Sequence, residues 1–185
     1  MEKKTIPLAV PDVGDEEINE IKKVFDTKFL TEGQTTKEFE EQVASYLGVK
    51  HAIAVTSCTT GLHAVFEGLD IKGQEVLVPD YTYPATAEAV VLAGGIPVIT
   101  DVDIDSMNMT TEILEEGYNE KMTVFEPVSW AGVPLESSIY KKSKDLGLKC
   151  LEDSACSLGA KIGSDFVGNI LFLSIFHAFL LLVWL

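Results

Sequence analysis

The sequence is short of positive charge. Its 185 residues include 14 lysines and arginines against 29 aspartates and glutamates, which gives a formal net charge of -15 at pH 7. A protein that binds the phosphate backbone of DNA or RNA needs a face rich in basic residues. No basic stripe is visible along this chain, so we do not expect nucleic acid as a partner.

Cysteine is scarce as well. The three cysteines, Cys58, Cys150 and Cys156, are an odd number and show neither CxxC nor Cys/His spacing. A disulfide framework and a metal site are therefore not predicted. The first residues contain a basic pair but lack the apolar stretch of a signal peptide. These absences together indicate a reduced, cytoplasmic protein.

The rest of the sequence alternates between apolar strands and amphipathic helices, without an internal repeat or a Gly/Ser/Pro-rich linker. The predicted strands are 51–57, 75–79, 96–102, 122–128 and 148–154. The predicted helices are 15–25, one capped by Thr35 or Thr36 and ended by Gly48, 61–69, 85–94, 110–119 and 137–147. This order is typical of the α/β class, with a mostly parallel sheet and helices on both faces.

Ligands of such sheets bind beyond the carboxyl ends of the strands, where loops and helix starts converge. The first loop of this kind is 56–62, which is rich in small hydroxyl residues and precedes a helix. The free N–H groups and the dipole of a helix start favour a phosphate. An ordinary helix N-cap is the alternative interpretation.

Two further loops carry residues suited to an aromatic ligand. Loop 78–86 contains Tyr81 and Tyr83, which either face a flat heterocycle or are half-buried packing residues. The third loop begins with Glu152 and Asp153 at the end of an apolar strand. A carboxylate there is able to hold a pyridinium nitrogen in its protonated state, unless it only caps a helix.

The order of these loops is more informative than any one of them. Together with IPLAVP (6–11), LTEGQTTKEFE (30–40) and YLGVKHAIAVTS (46–57), they closely resemble the DegT/DnrJ/EryC1/StrS family of pyridoxal 5'-phosphate (PLP)-dependent sugar aminotransferases. The resemblance runs from about residue 6 to residue 169. It implies the large-domain part of a fold-type I PLP-dependent transferase, similar to aspartate aminotransferase, with PLP as cofactor.

The resemblance also implies roles for individual residues. The implied cofactor-binding residues are Cys58, Thr59, Thr60, Tyr83, Asp153, Cys156 and Ser174. The first three would hold the phosphate, Tyr83 would stack on the ring and Asp153 would bind the pyridinium nitrogen. Cys58 and Cys156 depart from the Gly and Gln that are usual in the family, and Cys58 would narrow the phosphate cradle if its position needs an unusual backbone conformation.

The function implied is transfer of an amino group, typically from glutamate, to a keto group of a nucleotide-linked sugar. Such reactions serve polysaccharide, lipopolysaccharide or antibiotic-sugar biosynthesis. The partners implied are the nucleotide-sugar, the amino-acid donor and a second copy of the full-length parent in a homodimer. A PLP-dependent keto-sugar dehydratase of the same fold and a non-catalytic membrane-associated remnant are the alternatives.

The last sixteen residues, 170–185, carry no charge. Ser174, Phe176 and His177 echo a Ser-Phe-His-x-x-Lys motif, but the Schiff-base lysine is absent and Lys161 is the last lysine. The run is shorter than the roughly 20 residues of a membrane-spanning helix, so membrane association is not expected. A buried core strand and helix is a further interpretation of this run. We predict an incomplete transferase large domain at 1–169, an aberrant tail from truncation or a frameshift at 170–185, no catalytic residue and no transamination by this chain.

Overall fold

The computed structural model describes residues 5–7, 10–169, 173–176 and 181–184, the last two ranges as backbone only. The chain divides into two compact units, Met1–Glu38 and Phe39–Leu185. Within the described ranges, no helix combines the length and the apolar character needed to cross a membrane.

The first unit contains helix α1 (Asp15–Thr27) and the first residues of α2 (Gln34–Leu47). The N–H group of Gly14 donates to Glu17 Oε2 over 2.6 Å, and acidic residues fill the first turn of α1. Negative charge at a helix start is stabilised by the helix dipole. Lys28, with φ of 59°, ends the helix in the left-handed conformation.

The second unit contains the rest of α2 and all the strands. Its elements are β1 (His51–Ala54), α3 (Cys58–Leu69), β2 (Glu75–Pro79), α4 (Ala85–Leu92), β3 (Ile96–Thr100), α5 (Thr111–Gly117), β4 (Met122–Phe125), α6 (Ser137–Asp145), β5 (Lys149–Asp153), β6 (Lys161–Ile162), β7 (Asp165–Phe166), β8 (Leu173–Phe176) and β9 (Leu181–Trp184).

Seven of these strands form one sheet in the order β1-β9-β8-β5-β4-β2-β3. The pairs β2–β3, β2–β4, β4–β5 and β5–β8 are parallel, and β9 is antiparallel to both β8 and β1. The prediction of a mostly parallel sheet is therefore confirmed. Residues 173–176 and 181–184 supply the two strands between β5 and β1, while the origin of segment 170–185 stays a prediction.

Helices cover both faces of the sheet. On one face, α3 and α4 pack on β2, β4 and β5; we call this the α3/α4 cluster, whose core residues are Cys58, Leu62, Val65, Phe66, Ile71, Val76, Val78, Ala89, Val90, Ala93, Val124 and Leu151. On the other face lies the α5/α6 cluster, with Leu77, Met109, Leu114, Met122, Phe125, Leu135, Ile139, Tyr140, Leu148 and Cys150. Successive residues enter opposite clusters along β2 and β5, and along β4 from Val124 onwards, after a register shift in its pairing with β2. This explains the continuous apolar runs in the sequence.

Two helix starts differ from those predicted. Helix α2 begins at Gln34 and not after a cap at Thr35 or Thr36. Helix α3 begins at Cys58, three residues before the predicted start at residue 61. The reason in α3 is Ser57, whose side chain accepts a hydrogen bond from the N–H group of Thr60 and so places the helix N-cap earlier.

The packing of the α3/α4 cluster leads to a stability prediction. Phe66 is fully buried in this cluster. Replacing it with alanine is expected to lower the free energy of unfolding by about 3–5 kcal/mol, because the ring leaves a cavity between α3 and the sheet. The measurement is urea unfolding followed by circular dichroism. Phe25→Ala, which removes an exposed ring, is the matched control and should change stability by less than about 1 kcal/mol.

Candidate functional site

Asp153, the last residue of β5, is a buried carboxylate. Its Oδ1 accepts hydrogen bonds from the N–H group of Ala155 at 3.1 Å and from the thiol of Cys58 at 3.8 Å. Its Oδ2 accepts one from the hydroxyl of Thr86 at 3.1 Å. The carboxylate therefore joins the end of β5 to the first turns of α3 and α4.

The first turn of α3 lies against this carboxylate through Cys58. The loops that contain Cys58 and Asp153 thus lie side by side, as their positions at strand ends predict. Cys58 is a helical residue with a negative φ, so the departure from glycine needs no unusual backbone conformation here. Burial, together with the negative charge of Asp153, raises the pKa of the Cys58 thiol, which keeps it protonated as a donor.

The cap of α3 determines which N–H groups remain for a ligand. The N–H group of Thr60 donates to Ser57 Oγ at 3.0 Å, and the N–H group of Ser57 donates to Thr60 Oγ1 at 2.9 Å. The cap therefore already occupies the N–H group of Thr60, which was expected to face a phosphate. The N–H groups of Cys58 and Thr59 have no acceptor within the helix, and they lie at the positive end of the helix dipole.

The two tyrosines of loop 78–86 differ in their surroundings. The Tyr81 ring packs against the Trp130 ring, with centroids 4.8 Å apart and planes at 60°. Tyr83 is 72% exposed, in the turn before α4. The hydroxyl of Thr82, between them, lies 2.8 Å from that of Thr86, the donor to Asp153. The stacking role of Tyr83 stays a prediction, and its exposed ring is available for it.

Of the remaining residues suggested by the sequence, Cys156 lies in the loop after β5. Cys156 is exposed, and a Cβ atom added to Gly132 would come within 3.0 Å of its carbonyl oxygen. The backbone of Ser174 pairs with Glu152, but its side chain lies outside the described residues, as does His177. Lys161 Nζ lies 4.2 Å from the centre of the Phe166 ring.

Glu152 has a structural environment that differs from that of Asp153. It is fully buried, and its carboxylate accepts hydrogen bonds from the hydroxyls of Ser129 and, at 3.1 Å, Tyr140 of α6. Burial raises the pKa of Glu152 to about 7, although the hydrogen bonds from Ser129 and Tyr140 act in the opposite direction. Glu152 therefore points away from the Asp153 side of the sheet and braces β5 against α6.

The sequence analysis missed Glu126 and the role of Thr86. Glu126 follows β4 directly, is fully buried, and among the described residues neither oxygen of its carboxyl group has a hydrogen-bond partner. Burial, followed by the charge of Asp153, raises the pKa of Glu126 well above its ordinary value. An acidic residue within the apolar run 122–128 was a visible signal. For Thr86 the sequence offered none, since its contact depends on the packing of α4.

The mostly parallel sheet, with helices on both faces and a buried carboxylate at its strand ends, is that of the large domain of fold-type I PLP-dependent transferases, with which the chain superposes. Within this class the chain belongs to the DegT/DnrJ/EryC1/StrS aminotransferase family, whose model matches residues 11–179. The resemblance noted in the sequence is thereby confirmed.

Known proteins agree with this assignment. Uncharacterized protein MJ1066 of Methanocaldococcus jannaschii is 36% identical over 167 residues, which cover 89% of this chain and 43% of that protein. The PLP form of Spr1654 from Streptococcus pneumoniae, assigned as a sugar aminotransferase, superposes with a TM-score of 0.89 and 26% identity over 98% of this chain and 53% of that one.

A dehydratase shares the same fold. A mutant of the GDP-4-keto-6-deoxymannose-3-dehydratase ColD with bound GDP-perosamine superposes with a TM-score of 0.90 and 26% identity, over 97% of this chain and 51% of that one. The chain thus spans about half the length of the proteins it matches.

The environment of Glu152 predicts a pH dependence of stability. The folded chain keeps the proton of Glu152 up to about pH 7, whereas the unfolded chain releases it near pH 4.5. The contribution of Glu152 to the free energy of unfolding therefore falls as the pH rises through this window. Glu152→Gln removes the titration, so its stability relative to the parent should rise by roughly 3 kcal/mol from pH 4.5 to 7.5. Urea unfolding at several pH values measures this, and a difference that stays constant would contradict it.

Proposed function

We propose that this chain is the cofactor-binding part of a PLP-dependent aminotransferase that transfers an amino group, from glutamate, to a keto group of a nucleotide-linked sugar. The observation that carries the proposal is the pairing of Asp153 with the first turn of α3. The buried carboxylate of Asp153, at the end of β5, lies beside the N-terminus of α3, which is the positive end of the helix dipole.

The residues at this site fit the two charged groups of PLP, its ring nitrogen and its phosphate. PLP carries a ring nitrogen that is cationic when protonated and, apart from it, an anionic phosphate. Asp153 is an acceptor for the first, and the N–H groups of Cys58 and Thr59 are donors for the second. Glu126, whose buried carboxyl group has no partner among the described residues, adds a polar group that an apolar ligand would leave unsatisfied.

Contacts at the end of β5 support a positioning role for two residues. Thr86 and Ala155 donate to Asp153 and hold its carboxylate in place as the acceptor for the ring nitrogen. The N–H groups of Cys58 and Thr59 at the start of α3 would hold the phosphate, and the exposed Tyr83 would cover the ring. When bound, PLP supplies an electron sink for the bonds around the transferred amino group.

The substrate class is supported by the relatives. The family is one of aminotransferases, Spr1654 is assigned to sugars, and ColD was solved with a GDP-linked sugar. The amino-acid donor, the nucleotide-sugar and a homodimer of the full-length parent are the partners that we propose. We place the protein in polysaccharide, lipopolysaccharide or antibiotic-sugar biosynthesis.

A keto-sugar dehydratase is the second candidate, because ColD superposes as well as the aminotransferase Spr1654 does, with TM-scores of 0.90 and 0.89. The two functions differ in what happens to the sugar. An aminotransferase gives an amino sugar and converts one equivalent of glutamate to its keto acid, 2-oxoglutarate, which is released. A dehydratase removes a hydroxyl group and leaves a deoxy sugar. Mass spectrometry of the sugar product separates them.

Asp153 should determine binding of the cofactor ring. We expect Asp153→Asn to raise the Kd of pyridoxine 5'-phosphate by roughly 10-fold or more, because a charge-assisted hydrogen bond to the ring nitrogen is lost. This probe lacks the aldehyde and so does not react with surface lysines. Fluorescence titration measures the Kd. Glu152→Gln, one residue earlier and on the opposite face, is the matched control and should leave it within about twofold; equal losses in both variants would contradict the assignment.

The 185-residue chain by itself should bind the cofactor without turning over substrate. Its last lysine, Lys161, lies over the Phe166 ring, and amino transfer needs an amine that binds the carbonyl cofactor and moves a proton. The test is glutamate-dependent turnover with a panel of keto nucleotide-sugars, followed by borohydride reduction and peptide mapping. Turnover together with a labelled lysine would contradict this expectation.

A further inference from the structure

Glu126 lies on the same face of the sheet as Asp153. Along β4, Val124 belongs to the α3/α4 cluster and Phe125 to the α5/α6 cluster. Side chains alternate along a strand, and the N–H group of Glu126 continues the strand pairing by donating to Leu77 O at 2.9 Å. Glu126 therefore points to the α3/α4 face. By the same alternation Asp153, two residues after Leu151, points there as well.

The two carboxyl groups differ in how they are satisfied. Asp153 accepts hydrogen bonds from three donors, whereas neither oxygen of Glu126 has a partner among the described residues. Two neighbouring buried carboxyl groups do not both ionise readily, because like charges repel in a medium of low dielectric. The hydrogen bonds stabilise the charge on Asp153, so the proton resides on Glu126, in agreement with the raised pKa of Glu126.

Among the described residues, Asp153 is the charged group that acts on the pKa of Glu126, and no basic group offsets it. The titratable groups that act on it are Asp153 of β5 and, from α3, the thiol of Cys58. Helix α4 contributes the neutral hydroxyl of Thr86 to the same site. An alkyl side chain of similar size would fill this position without the cost of burying a polar group. A carboxyl group at position 126 is therefore explained by a cationic ligand that balances its negative charge.

We infer that Glu126 and Asp153 form a carboxyl pair that carries one negative charge in the free chain and two when the cationic ring nitrogen of the cofactor is bound. On binding, the O–H bond of Glu126 breaks and its proton passes to solvent. Two carboxylates, of Asp153 and Glu126, would then face the ring nitrogen and favour its protonated form. This inference rests on the proposed function, since it takes the cation to be the cofactor ring.

Proton release on binding is the direct test. Isothermal titration with pyridoxine 5'-phosphate, in buffers of different ionisation enthalpy, counts the protons released by the parent chain and by Glu126→Gln. The parent should release up to one proton more than the variant. Its Kd should also fall with rising pH, by up to about tenfold per pH unit, and this dependence should be weaker in the variant. Glu152→Gln is the matched control and should give the parent's proton count.

A second variant separates this role from a structural one. Glu126→Leu removes a buried polar group without a partner, so it should unfold at a higher urea concentration than the parent. Its Kd for pyridoxine 5'-phosphate should nevertheless rise by roughly 10-fold to 100-fold, the change that loss of one charge-assisted contact produces. Lower stability with an unchanged Kd would show that Glu126 serves only packing, and would overturn the inference.

The outcomes distinguish the inference from the proposed function. One outcome is that the parent binds the probe, that Asp153→Asn weakens this binding, and that Glu126→Gln matches the parent in proton count and Kd. In that case the inference is wrong and the proposed function stands. If the parent does not bind the probe at any pH, both fail. If Glu126→Gln alone loses the extra proton, the carboxyl pair is established.

Discussion

The site depends on one constraint, which is that the buried carboxylate of Asp153 has to be hydrogen bonded. Burying a charged group without partners costs several kcal/mol, so donors must be brought to it. They come from Cys58 at the start of α3, from Thr86 at the start of α4 and from Ala155 in the loop after β5. The starts of two helices are thereby fixed relative to one strand end.

Three acids at the ends of two adjacent strands show how environment decides the role of a side chain. Glu152 and Asp153 are consecutive, yet they lie on opposite faces of β5 because side chains alternate along a strand. Glu152 receives hydroxyl groups from Ser129 and Tyr140. Asp153 receives donors from two helix starts, while burial and the charge of Asp153 raise the pKa of Glu126. The carboxyl group thus joins β5 to α6 in Glu152, carries a negative charge in Asp153 and, by our inference, holds a proton in Glu126.

The sequence predicted the parts of this molecule that follow from local pattern. Apolar runs alternating with amphipathic helices are enough to predict a parallel sheet, and the EVLVP run coincides with β2 at Glu75–Pro79. The proximity of Cys58 and Asp153 was also predictable, because both lie in loops after strands, and such loops converge at the carboxyl ends of a parallel sheet. For loop 56–62 the sequence left open a helix N-cap or a phosphate site, and the structure shows that Ser57 caps α3 through the N–H group of Thr60. Which N–H groups remain for a ligand could not be predicted, because that depends on the residue at which the helix begins. The lack of a hydrogen-bond partner for Glu126 among the described residues depends on tertiary packing, which a local sequence pattern does not predict.

The order of strands in the sheet has a consequence for how the chain is made. Among the described strands, β1 pairs with β9 alone, so His51–Ala54 bonds to Leu181–Trp184. During synthesis on the ribosome, β1 emerges long before β9 and has to wait without a strand partner while α3 to β8 are translated. Domains that depend on such distant pairing fold slowly and leave strand edges open to other chains in the meantime. The half of the sheet around β2, β3 and β4 is complete much earlier, and it provides the surface on which the late strands are added.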